Sequence, residues 1–249
     1  MQEAKNKGNN AVDLTAQFVT PLSILPLVVC ANYYDLTINC TDESNRDTFN
    51  YLNTIEFPNG IKSFNKNNKR YLPIMNISTR ESDEVLSDYE ERMLSQFGLQ
   101  TNVLKNLTCE LVNNVREHSK KQDYWMLAQT YQNPRKTVEI VLADCGVGYK
   151  QSYKGTQWET KTDTEAIINA LDGRSSKTEL QGRGFGIPSI IKTFVDELCG
   201  KIIIISGNSL VYYKRKERIE KQLKSYWQGS VIGINCLPKD VDFYGCIGR

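Results

Sequence analysis

Histidine is almost missing from this chain: His118 is the only one in 249 residues. The seven cysteines are odd in number and contain no CxxC pair. Neither a Cys/His zinc site nor a disulfide framework has the residues it needs. No charge dominates either, with 31 basic residues against 29 acidic, so nothing draws the whole molecule to nucleic acid or to a membrane surface. The longest apolar run, Phe18 to Ala31, is broken by Thr20, Pro21, Ser23 and Pro26 and is too short to span a bilayer. Its polar upstream flank, with Asp13, lacks the basic-then-apolar form of a secretory signal. These absences point to a reducing cytoplasm. Walker A and GxGxxG dinucleotide loops are also absent, as are internal repeats and low-complexity tracts.

What is present reads as alternating strands and helices. Ala11 to Leu14 predicts a strand, followed by a helix over Pro21 to Asn32 with Thr20 as cap and Pro21 in the first turn. A strand over Tyr34 to Cys40, a helix over Asp42 to Leu52 and a strand over Arg70 to Ile77 complete a β-α-β-α-β order. An acidic helix from Glu81 to Phe97 stops at Gly98, and Thr101 caps the next. The reading is a first unit over residues 1–80, a connecting helix over 81–100 and a second unit over 101–249. The second unit opens with a helix over Asn102 to Ser119 and strands at Tyr124 to Tyr131 and Val138 to Ala143. A long glycine-bearing loop follows, holding one helix, Thr164 to Leu171. After a helix at Ile187 to Leu198 come strands at Lys201 to Ser206, Ser209 to Lys214 and Ser230 to Cys236. The charged stretch Arg215 to Lys224 reads as a solvated helix or hairpin arm.

Two glycine clusters stand out, Asp144-Cys145-Gly146-Val147-Gly148 and Gly182-Arg183-Gly184-Phe185-Gly186. Glycines this close let backbone N–H groups approach phosphates with no Cβ in the way, although each alone would serve as a turn. On the preceding helix Glu110, Asn114 and His118 share one face, while Leu104, Leu107, Leu111 and Val115 form an apolar stripe. A carboxylate and a carboxamide one turn apart suit a general base and a magnesium ligand, or simply a solvated face.

Order and spacing together resemble the GHKL nucleotide-binding family: E-L-V-N-N-V-R-E-H as its N box, D-C-G-V-G and G-R-G-F-G as its two glycine boxes, and Gly229-Ser230-Val231-Ile232 as its last strand. The resemblance runs from about Leu104 to Pro238. It implies a GHKL (Bergerat) α/β sandwich with an antiparallel-rich sheet that binds ATP and Mg²⁺. By the same resemblance, Asp144 accepts the adenine amino hydrogen, Ser230 supports it through its hydroxyl, and Gly146 and Gly148 shape the adenine pocket. Asn114 completes the magnesium coordination. Gly182, Gly184 and Gly186 cradle phosphates, with Arg183, Phe185 and Lys177 beside them, and residues 149–181 form the lid.

Glu110, where histidine kinases usually carry Asn, makes the chain similar to anti-sigma-factor serine kinases and to hydrolysing ATPases, with Glu110 as general base. With His118 inside the N box, no separate phosphoacceptor histidine remains. Residues 12–57 resemble a small β/α STAS-like domain, with Leu22 where an acceptor serine would stand. Serine/threonine kinase, slow ATPase and nucleotide-gated binder of a regulatory protein remain open. The partner is then a protein substrate or regulator, and the connecting helix offers a surface for a homodimer.

Overall fold

The computed structural model describes residues 11–15, 18–39, 46–61, 70–78, 82–115, 119, 123–132, 134–174, 186–215, 217–243 and 245. It is a mixed α/β fold. The centre is a five-stranded sheet in the order β3-β4-β5-β7-β6, formed by β3 (Tyr71–Ser78), β4 (Asp123–Tyr131), β5 (Thr137–Asp144), β6 (Lys201–Lys214) and β7 (Glu217–Cys236). Every pairing is antiparallel.

Side chains alternate across a strand, and here both sides are covered. Tyr124, Met126 and Ala128 of β4 enter one core cluster, while Trp125 and Leu127 enter another. That double burial is why β4 and β5 read as nearly unbroken apolar runs. The first cluster is closed by α3 (Ser82–Phe97), α4 (Thr101–Asn114), α6 (Asp163–Leu171) and α7 (Gly186–Ile190), whose path continues as a π-helix over Ile191–Glu197. The second is closed by α1 (Pro21–Tyr34) and α2 (Arg46–Thr54). The short helix α5 (Gly148–Ser152) follows β5. No helix among the described residues is long and apolar enough to cross a membrane, and Cys30, Cys109, Cys145, Cys199 and Cys236 are free thiols.

Thr20 caps α1 in a reciprocal capping box with Ser23, and Pro21 fills the first turn. The helix lays Ile24, Leu25, Val28 and Val29 onto β4 and β5. β1 (Ala11–Asp13) and β2 (Thr37–Asn39) form a separate, parallel pair. The third strand expected in the first unit is instead β3, the edge of the five-stranded sheet, hydrogen-bonded to β4. The helix expected to connect the units is likewise part of the core. Its Tyr89, Met93 and Phe97 are fully buried, a stripe at four-residue spacing that acidic neighbours hide in the sequence.

Two further differences have local causes. Gln100, not Thr101, is the N-cap of α4; it makes no side-chain cap bond because its amide oxygen accepts from Val241 N–H at 3.2 Å. The expected lid is folded as far as Arg174. Thr162 and Glu165 form a capping box at the start of α6, whose Ala166, Ile167, Ala170 and Leu171 are buried. Arg174 lies over the Trp158 ring at 4.6 Å. Of the two readings of the charged stretch Arg215 to Lys224, the hairpin arm is the one found, with β6 and β7 paired out to Lys214 and Glu217.

Candidate functional site

The carboxyl end of β5 delivers Asp144, and the register with β7 sets Ser230 directly opposite. Ser230 donates its hydroxyl to Asp144 Oδ2 at 2.5 Å, and Gly146 N–H donates to Oδ1 at 2.6 Å. The carboxyl group is only 2 % exposed. Burial raises its pKa above the ordinary value of 3.8, and the bonds from Ser230 and Gly146 pull it back down. A buried acid held by donors on one side has its remaining lone pairs aimed at whatever lies opposite.

What lies opposite is a small cavity of about 20 Å³ lined by Leu111, Asn114, Val115, Tyr149 and Ile232 together with Asp144, Gly148 and Ser230. The sequence-predicted Asn114, Asp144, Gly148 and Ser230 therefore meet in one place. Two polar atoms at this cavity, Asn114 Nδ2 and the Tyr149 hydroxyl, are buried with no hydrogen-bond partner. Buried polar groups are rarely left so without a ligand or water to complete them. Tyr149 itself is 7 % exposed, and burial pushes its phenol far above the usual tyrosine range.

Gly146 joins the glycine box to the end of the preceding helical segment. A Cβ there would fall 2.3 Å from Ser119 Cβ, and the neighbouring Val147 N–H donates to Ser119 O at 2.9 Å. Gln228 closes the other side by donating its amide to Gly146 O. Below Tyr149, Ser206 accepts from its backbone N–H at 3.2 Å and donates to Gly229 O at 2.8 Å.

Glu110 sits one turn before Asn114 on α4 but is 8 % exposed and is not among the residues lining the cavity. Gly186 opens α7, whose Ser189 receives a hydrogen bond from Asn106 of α4 at 3.1 Å, so the last glycine of the second cluster starts a helix tied to the one bearing Glu110 and Asn114. His118, Lys177, Gly182, Arg183, Gly184 and Phe185 lie outside the described residues. Among the described residues no three His, Cys, Asp or Glu side chains gather to hold a metal. A metal fitting this site would take Asn114 and complete its shell from a ligand's oxygens.

Tyr149, Ser119, Ser206 and Gln228 were not singled out in the sequence. Tyr149 had a local signal, since it directly follows the glycine box. Ser206 and Gln228 reach the site only through strand register, which leaves no local mark. No protein-family model matches the chain, and neither a curated protein nor a solved structure matches it.

Proposed function

We propose that the chain binds ATP at the Asp144 cavity, with Mg²⁺ at the phosphates, as the GHKL resemblance implies. The observation that carries this reading is the buried Asp144 carboxyl, fixed from behind by Ser230 and Gly146 and facing a cavity with two unpartnered polar atoms. Burying an acceptor without its full set of donors is costly, and the adenine amino group is a donor of the right kind. By the resemblance, Asn114 would offer its carboxamide oxygen to the metal, and Gly182, Gly184 and Gly186, with Arg183 and Lys177, would be the residues that hold the phosphates. Magnesium supplies the positive charge that offsets the phosphates. The cavity of about 20 Å³ is far below the roughly 300–1,000 Å³ of ligand pockets, so binding requires its walls to part.

Within a cytoplasmic signalling role of bacterial type, two readings follow. In one, Glu110 is the general base of a serine/threonine kinase of the anti-sigma type or of a slow ATPase. In the other, ATP is a ligand that sets conformation for a protein partner. The burial of Glu110 away from the cavity favours the second. Calorimetric titration of ATP–Mg²⁺ into wild-type protein and Asp144→Asn tests the common core: the variant is expected to fold and to lose ATP. Equal affinity in a folded variant would place the nucleotide elsewhere.

A further inference from the structure

The layer of α1 and α2 does not close its side of the sheet completely. α1 packs chiefly on β4 and β5. Beyond them, Ile203 and Ile205 of β6 are only half-buried on this side, whereas Ile202 and Ile204 are fully buried on the other. In the space left lies a cavity of about 350 Å³, walled by Thr20 and Leu22 at the start of α1 and floored by Ile203 and Gly233. A Cβ at Gly233 would fall 2.9 Å from both Ile203 Cγ2 and Leu22 Cδ1, so the lack of a side chain there lets Leu22 come down this close. The volume is on the scale of a small-molecule site.

Register decides which polar groups reach the cavity. Glu139 of β5 lies opposite Asn235 of β7, and Asn235 lies opposite Lys201 of β6. Residues directly opposite share a face, so acid, amide and base stand in one row across three strands, and all three line the cavity. Two strand spacings put the Cα atoms of Glu139 and Lys201 roughly 10 Å apart.

The acid is held in place. Its Oε1 accepts from Leu22 N–H at 3.2 Å and its Oε2 from the Tyr131 hydroxyl at 2.6 Å, and each oxygen keeps a lone pair beyond those bonds. Burial raises the Glu139 pKa above its ordinary value of 4.5, while the Tyr131 and Leu22 donors and the charge of Lys201 pull it back. A further cation at this carboxylate is therefore stabilising. Yet among the described residues neither the Lys201 ammonium nor the Asn235 carboxamide makes an ion pair or hydrogen bond. Opposite charges that share a cavity without meeting leave room for a ligand that carries both.

We propose that this cavity binds a small zwitterion, an α-amino acid with an aliphatic side chain. Its ammonium group donates to Glu139, its carboxylate accepts from Lys201 and the Asn235 amide, and its side chain lies on Leu22 and Ile203. The bonds at both ends are charge-assisted, and a ligand with a single charge leaves one end of the row unmatched. None of this depends on what the Asp144 cavity binds.

The test is calorimetric titration of the full chain with leucine, with isopentylamine, which is leucine without its carboxylate, and with isocaproate, which is leucine without its amine. Leucine should saturate one site, and each analogue should bind at least about tenfold more weakly, which is about 1.4 kcal/mol. Lys201→Gln should weaken leucine about tenfold while isopentylamine loses nothing; Glu139→Gln should weaken leucine by a similar factor while isocaproate loses nothing. Lys201 is exposed, so its variant decides the matter if Glu139→Gln does not fold. Absence of saturation at millimolar leucine overturns the proposal. So does equal binding of either analogue, or unchanged leucine affinity in either folded variant.

Discussion

Replacing Ser230 with alanine removes one hydroxyl from a buried carboxylate and little else. The bond it makes to Asp144 Oδ2 spans 2.5 Å, and a hydrogen bond to a charged group contributes roughly 1.5–3 kcal/mol. Its loss should raise the Asp144 pKa further. The sign follows from the direction already present. Burial holds the folded-state pKa of Asp144 above its ordinary value of 3.8, so its contribution to stability is full below the unfolded pKa and is lost as pH rises through the folded pKa. Ser230→Ala extends that loss to higher pH. Urea denaturation of both proteins from acid to neutral pH should show a small difference at the acid end. It should widen to roughly 1.5–3 kcal/mol once Asp144 is ionised in both. A difference independent of pH would refute the argument, because it would mean that the hydroxyl serves packing and not the carboxylate.

Gly229 has φ of +90° and a Cβ there would fall 2.2 Å from Asp144 O, so Gly229→Ala should cost about 2 kcal/mol or more, measured as a lower denaturation midpoint at unchanged slope. ATP affinity, if Asp144 must be ionised to accept the base, should weaken on acidification at a higher pH than an ordinary carboxylate would impose; calorimetry across pH would contradict this by showing a flat profile. Glu110→Gln and Asn114→Ala separate catalysis from binding. The first should lose turnover by about a hundredfold or more with ATP still bound if Glu110 is a base, whereas the second should weaken magnesium-dependent binding itself. A fully active Glu110→Gln chain beside an inactive Asn114→Ala chain would leave ATP as a conformational ligand.

Much of the site was readable because its parts are local. Asp144 with its glycines and Asn114 one turn after Glu110 are short patterns, each open to a plainer use as a turn or a solvated face, that gain meaning from their order along the chain. The cap of α1 was equally plain, since Thr20 and Pro21 act on their own backbone. What could not be read is what depends on distant chain. β3 is a strand by pattern in any setting, but its partner is chosen by burial against Trp125 and Met126, which nothing near Tyr71 announces. The burial of Glu110 comes from neighbours brought by the fold, so a helical wheel alone leaves it looking solvated. In the expected lid the helix over Thr164 to Leu171 was read from its pattern, whereas the stacking of Arg174 over Trp158 that folds the segment beyond it leaves no local mark.

The layer laid down by α1 and α2 bears on how residues 101–249, the half proposed to bind ATP, could be produced by themselves. Cys145, the residue after Asp144, directs its thiol to Val29 O of α1 at 3.9 Å, and Trp125, Leu127, Val141, Ala143 and Val231 share their burial with Ile24, Leu25, Leu52 and Ile74. A fragment cut at residue 101 would carry its glycine boxes on a sheet stripped of one whole side and of its β3 border. It would present to water an apolar surface continuous with the back of Asp144, and its failure to bind a nucleotide would say nothing about the intact protein.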